Sequence, residues 1–143
     1  SARKEEIQLK QCFNTTLGPA AVGPYSTCAM TEDTVFVSGM IPLDPRSGAL
    51  VEGGIEAQAT QALENIKTVL EEMGLSMAHA LKTTVLLTNL DDFGKVNEIY
   101  GRYFGPDYPA RACFEVSRLP KGAMIEIEVI AARRISLNEE KSI

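Results

Sequence analysis

The residues of this chain best suited to chemistry crowd into one stretch, Pro109 to Glu128, which reads PARACFEVSRLPKGAMIEIE. Two segments of strand-like composition flank a Pro/Gly turn at Leu119-Pro120-Lys121-Gly122. The first carries Arg111 and Cys113, the second Glu126 and Glu128. As a hairpin, the stretch brings a guanidinium, a thiol and two carboxylates to one wall of an anionic small-molecule site. The planar fork of an arginine donates two parallel hydrogen bonds to a carboxylate. Blander roles exist for each residue. Arg111 could pair with Glu115 or Asp107. Glu126 and Glu128 alternate with Ile125, Ile127 and Val129, as on any half-exposed strand. With the turn centred near Pro120-Lys121, Glu126 would face Glu115, and like charges across a ladder are unfavourable. Either Arg111 or Arg118 then neutralises the pair, or Glu126 titrates high.

Elements upstream must position this stretch. Tyr25 to Met30 and Thr34 to Ser38 (TVFVS) read as strands, followed by a turn-rich loop, Asp44 to Gly48. From Ile55 to Met73 the period changes. Ile55, Ala59, Ala62, Ile66, Val69, Leu70 and Met73 recur at three- and four-residue steps. Glu64, Lys67, Glu71 and Glu72 fill the other side. That predicts an amphipathic helix closed by Gly74 as its C′ residue. Leu81 to Leu90 reads as a buried strand. Asp91 and Asp92 then open a second helix, where acidic residues suit the positive end, with Phe93, Val96, Tyr100 and Tyr103 facing inward. Arg111 to Arg118 and Met124 to Arg133 are the last strands. An extra strand is expected around Ile7 to Phe13, and both ends of the chain read as frayed.

The order β-β-α-β-α-β-β predicts an α+β fold, a mixed β-sheet with two helices packed on one face. Two helices cover one face only. Yet Val35 and Val37 point opposite to Phe36, and Val85 and Leu87 opposite to Leu86. The second face is therefore partly apolar, and an exposed apolar sheet face of this kind marks a partner surface. A homo-oligomer with sheets facing one another is expected.

Composition narrows the function. The 143 residues suit a single domain, 1–143, with its core at about 12–134. Net charge is −5, and Arg133-Arg134 is only a short basic pair, so a nucleic-acid partner is not expected. No apolar run approaches the roughly 20 residues that span a bilayer. The N-terminus has no secretory h-region. The chain opens with Ser1 rather than methionine, so an upstream targeting segment could have been removed. Cys12, Cys28 and Cys113 form no CxxC, which fits reduced thiols in the cytoplasm, or in an organelle if a leader was lost. His79 is the one histidine. It is expected as a surface residue at a strand start, and without ligand partners or a GxSxG element it supports neither zinc nor a serine triad.

With these motifs in view, the chain resembles the RidA (YjgF-like) family of reactive intermediate deaminases. The blocks are GPYS (Gly23 to Ser26), SGMIP (Ser38 to Pro42), QATQALENIKTVLEEMG (Gln58 to Gly74), KTTVLLTNLDDFGKVNEIYGRYF (Lys82 to Phe104) and PARACFEVSRLPKGAMIEIEVIA (Pro109 to Ala131). They stand in the family's order and cover Cys12 to Arg134. The resemblance implies a chorismate-mutase-like fold and a homotrimer whose sheets form a central barrel, with active sites in clefts between subunits. It implies hydrolysis of 2-enamino and 2-imino acids, such as 2-aminoacrylate and 2-iminobutanoate, to 2-keto acids and ammonia. No cofactor or metal is implied.

The resemblance also assigns roles. Arg111 matches the arginine that binds the substrate carboxylate, and Glu126 the glutamate that orients the attacking water. Cys113 matches a cysteine lining the pocket, whose backbone carbonyl helps hold that water. Gly39 matches a glycine whose backbone touches substrate, and Tyr25 and Asn97 match pocket residues. Plain alternatives are a core position for Tyr25, an exposed one for Asn97, and a backbone role for Gly39. Met40 replaces a glutamine of many members, and the GPDY loop before Pro109 is short. Both bear on substrate size. A non-catalytic binding module, and RNA cleavage or translation inhibition, are the competing functions.

Overall fold

The computed structural model describes residues 9–134. Six strands form one mixed sheet: β1 (Gln11–Phe13), β2 (Cys28–Met30), β3 (Thr34–Met40), β4 (Ala80–Leu87), β5 (Ala110–Glu115) and β6 (Ile125–Ala132). Two helices, α1 (Ile55–Glu72) and α2 (Phe93–Phe104), pack on it. This is the expected α+β architecture. The described part of the expected N-terminal strand is β1. The frayed ends fall largely at 1–8 and 135–143, outside the described residues. Among the described residues no helix is long and apolar enough to cross a membrane.

α1 forms where the 3.6-residue period foretold it. Ala59, Ala62, Leu63, Ile66, Val69 and Leu70 are fully buried. They lie against Val35, Val37, Val85, Ile127 and Val129 of the sheet. Gly74 takes a left-handed conformation at φ 75°. Its N–H donates to the Glu71 carbonyl, and that of Leu75 to the Leu70 carbonyl, so the last carbonyls of the helix are satisfied. α2 starts later than expected. Leu90–Asp92 form one 3-10 turn, capped by the Asn89 side chain, which accepts from Asp91 N–H at 2.9 Å. Val96, Ile99, Tyr100 and Phe104 face inward; Phe93 is exposed instead.

The strand order is β1-β2-β3-β6-β4-β5, which overturns the Arg111–Glu128 hairpin. β5 pairs in parallel with β4, and β6 takes the other edge of β4 antiparallel. The cause is the connection: α2 carries the chain back over the sheet, so β5 must enter in the direction of β4. β6 then passes to the far side of β4. Glu126 therefore sits opposite Leu86, not Glu115. Glu115 is engaged elsewhere, accepting from Leu90 N–H at 2.9 Å.

Both helices cover the face bearing Val35, Val85, Leu87 and Ile127. By strand alternation, Ala29, Phe36, Leu86, Phe114 and Ile130 occupy the other face. There Phe36 and Phe114 are 49% and 54% exposed. The uncovered, partly apolar face expected from the sequence is present. His79 departs from its expected surface position. It is buried at the end of a 3-10 turn, Met77–His79. Its Nδ1 accepts from Ser76 N–H at 3.0 Å, because the ring folds back to cap that turn.

Candidate active site

The sequence-derived site residues fall into two groups. Tyr25, Gly39 and Glu126 share a cleft of about 440 Å³, with Val22, Leu43 and Lys121 also on its walls. Arg111 and Asn97 share a second cleft of about 420 Å³, bordered by Tyr100, Tyr108 and Pro109. Cys113 lies two residues beyond Arg111 on the same face of β5.

In the first group, Glu126 is held on β6 beside the bulge of β3 between Val37 and Met40. Gly39 sits at that bulge. A Cβ there would overlap Glu126 Oε2 and lie 2.8 Å from its Cδ. The carboxylate thus lies over bare backbone, a contact that only glycine permits. Burial first, and the Glu128 charge second, push the Glu126 carboxyl above its ordinary value. A raised value was one of the two outcomes read from the sequence, with Glu115 across a hairpin as its cause. The real neighbour is Glu128, two residues along the same strand face. Tyr25 is half exposed rather than core, and its hydroxyl accepts from Val22 N–H at 3.3 Å. Met40, by contrast, is buried in the core beside Ile127.

In the second group, the Arg111 guanidinium lies over two rings, 4.8 Å from the Tyr100 centroid and 5.2 Å from that of Phe93. One nitrogen donates to Asn97 Oδ1 at 2.7 Å. Tyr100 is itself fixed by a 2.6 Å hydrogen bond between its hydroxyl and that of Thr83. Among the described residues no carboxylate pairs with Arg111, neither Glu115 nor Asp107. A stacked, tethered guanidinium with no carboxylate partner has the geometry that suits a small carboxylate. Phe93 and Tyr100 were not read as part of this site from the sequence; an aromatic spaced a helical repeat from Asn97 was the available signal. Burial raises the Cys113 thiol pKa, against the lowering effect of Arg111. That disfavours the thiolate a nucleophile would need.

The basic pair near the C-terminus is occupied. Arg134 bonds to Glu32 and lies 3.7 Å from Asp33, and Arg133 donates to the Thr31 carbonyl at 2.9 Å.

Comparison with known proteins adds four findings. The family model described as Endoribonuclease L-PSP matches residues 15–133. A mouse protein named 2-iminobutanoate/2-iminopropanoate deaminase is 46% identical over 125 residues, 87% of this chain and 93% of that one. Among solved structures, RidA from a Psychrobacter species superposes with a TM-score of 0.82 at 43% identity, covering 85% of this chain and 98% of that one. TdcF of E. coli, solved with bound serine, gives a TM-score of 0.82 at 38% identity over 87% and 99%.

Proposed function

The chain belongs to the Endoribonuclease L-PSP family, and from that membership and its two half-sites we propose that it hydrolyses 2-enamino and 2-imino acids to 2-keto acids and ammonia. The observation that carries the proposal is the pairing of a free, stacked Arg111 with a Glu126 of raised pKa. The first suits a small carboxylate and the second, pushed above its ordinary value by burial, suits a proton acceptor.

Substrates of this class carry a carboxylate next to a C=N carbon. Arg111 binds the carboxylate through its fork, with Asn97 fixing the rotation of the guanidinium. The bound carbon then has one orientation relative to a water on Glu126, which removes much of the entropic barrier. The water oxygen bonds to C2 as the C=N π pair moves to nitrogen, and Glu126 takes the water proton. Glu126 returns that proton to nitrogen. The proton of the C2 hydroxyl then passes through Glu126 to the amino nitrogen as the C–N bond breaks, so that ammonia leaves and C2 keeps the keto oxygen. Cys113 contributes pocket wall and backbone rather than a nucleophile.

The two halves lie on opposite faces of one sheet, so a small substrate can meet both only between two copies. The exposed apolar face, with Phe36 and Phe114, supports the same assembly. We place the chain in a homotrimer with inter-subunit sites. Its mass in solution should be three times the 15.5 kDa subunit. Three free cysteines suit a reducing compartment such as the cytoplasm. RNA has no part in this reading, since Arg133 and Arg134 are already engaged.

The test couples a threonine dehydratase, which generates the imine, to this protein and follows 2-keto acid and ammonia release. The native chain should accelerate release and Arg111→Ala should not. Equal acceleration by both would overturn the mechanism. No acceleration by either, with the trimer intact, would leave a binding module.

A further inference from the structure

Three polar side chains stand in line along α1: Gln58 and Asn65 are buried, and Glu72, its last residue, is partly exposed. Gln58, Asn65 and Glu72 are spaced by seven residues. Seven residues return to within about 20° of the same direction on a 3.6-residue helix. The three thus lie along one line roughly 21 Å long. Gln58 and Asn65 are 4% and 1% exposed, among Ala59, Ala62, Leu63 and Ile66. Polar groups at such depth destabilise a fold unless they are hydrogen-bonded. Every one is bonded, and apart from Gln61 on the helix itself, each partner lies in or leads into a segment that borders the Glu126 cleft.

Gln58 Oε1 accepts from Met124 N–H at 2.8 Å, two residues before Glu126. Asn65 Nδ2 donates to the carbonyl of Leu43, a cleft wall, at 2.9 Å. Its Oδ1 accepts from Gln61 Nε2 at 2.8 Å. The Glu72 carboxylate accepts from Thr16 N–H at 3.0 Å, Leu17 N–H at 3.4 Å, the Thr16 hydroxyl at 3.2 Å and the Thr15 hydroxyl. That segment leads into residues 19–26, which carry Val22 and Tyr25. Gly18 closes the joint, for a Cβ there would lie 2.9 Å from Thr15 Oγ1 and 3.1 Å from Val69 Cγ2. The far end of the loop is tied back through Thr27 N–H to Asn14 Oδ1 at 3.2 Å.

Helix stability does not explain Glu72. It is the last residue of α1, where the helix dipole disfavours a carboxylate, and no basic residue stands in that turn. Partial burial alone would push its carboxyl up, yet the bonds from Thr15, Thr16 and Leu17 hold it below its ordinary value. The ionised group is built to grip the loop.

We infer that Gln58, Asn65 and Glu72 are positioning residues, a polar ladder by which one helix sets the spacing of three walls of the cleft. The kinetic arm of its test rests on the deaminase reading; the exchange arm does not. The variants are Gln58→Met, Asn65→Leu, Glu72→Ala and Glu72→Gln, with Glu71→Ala as the control. Gln58→Met should lower kcat at least about fivefold with KM little changed, because it loosens the strand bearing Glu126. Asn65→Leu and Glu72→Ala should raise KM about fivefold with kcat within about twofold, because they loosen the walls. Glu72→Gln, which keeps an acceptor, should fall between Glu72→Ala and the unmodified chain. Amide hydrogen exchange should rise at residues 15–27 in Glu72→Ala, around Leu43 in Asn65→Leu, and at 124–126 in Gln58→Met. Exchange rising evenly across the sheet, with kcat and KM unchanged, would overturn the ladder and leave a stability role. If the unmodified chain turns over no imine, the deaminase reading fails, and the exchange pattern alone decides the ladder.

Discussion

Arg111 and Glu126 leave one sheet by opposite faces. Arg111 is in register with Thr83 of β4, and Glu126 with Leu86 of the same strand. Thr83 and Leu86 are three residues apart, an odd step, so their side chains point to opposite sides. Thr83 is buried beneath α2, while Leu86 belongs to the uncovered face. With β4 between them, Arg111 and Glu126 of one chain cannot enclose the same small molecule.

This predicts complementation between inactive subunits. Arg111→Ala spoils one half-site and leaves the other intact; Glu126→Gln does the reverse. Unfolded together in equal amounts and refolded, the two variants should form mixed rings. Random assembly restores both halves in about a quarter of the sites. Steady-state deamination by the mixture should therefore approach a quarter of the native rate. A mixture as inactive as its components, with mixed rings confirmed by mass, would show that both groups act from one chain.

The grip on Arg111 predicts how the clamp fails. Arg111→Lys keeps the charge but loses the fork and the stacking on Tyr100 and Phe93. Charge-assisted hydrogen bonds of this kind contribute roughly 1.5–3 kcal/mol, so kcat/KM should fall about 10- to 100-fold. Asn97→Ala removes a single tether at 2.7 Å and should have a smaller effect, mostly on KM. Steady-state kinetics on both variants separate these outcomes. An Arg111→Lys enzyme of native efficiency would mean that charge alone suffices.

Glu126 predicts a pH dependence. Its folded value is raised above 4.5, by burial first and Glu128 second. Activity that needs the carboxylate is lost as pH falls through that raised value. Glu128→Gln should move the acid limb of kcat/KM to lower pH, but not all the way, because burial remains. For stability the sign reverses. The folded state binds the proton more tightly than the unfolded chain, so this group's contribution is present at low pH and lost as pH rises through the folded value. Glu126→Gln should accordingly raise Tm at neutral pH by roughly a few degrees while abolishing turnover. A Tm that falls would show that the ionised carboxylate is stabilised by a partner.

What was legible in the chain was mostly local. The period of α1 and its closing Gly74 involve neighbours in sequence, and both appear as read. Strand partners are chosen by tertiary packing, and there the local signal misled. The short turn at Pro120–Gly122 invited a hairpin, whereas the crossover through α2 gave β5 to β4 and left β6 the other edge. His79 had no signal for burial, because its capping bond to Ser76 depends on a turn three residues long. The residues singled out from the resemblance fall into two clefts, and their division between two sheet faces follows only from register. Gln58 and Asn65 carried no signal in the sequence, and Glu72 was placed on the polar side of α1, because their hydrogen-bond partners lie far away in the chain.

Gly39 supplies the sharpest separation of fold from function. A methyl group there meets the tip of the Glu126 side chain, with its Cγ 3.2 Å away and its Cδ 2.8 Å away. The obstacle is the end of a flexible side chain, not backbone, so Gly39→Ala should fold with Tm close to native. The carboxylate, however, must swing aside, and a displacement near 1 Å at a reacting group can lower a rate about 100-fold. The expected result is a stable trimer that still binds a 2-keto acid through Arg111 but turns over imine at least about tenfold more slowly, with kcat carrying the loss. Calorimetric titration with 2-oxobutanoate and single-turnover kinetics would measure the two parts. Native kcat in Gly39→Ala would mean that Glu126 need not occupy the place it has over Gly39, and its role as the proton acceptor would fall.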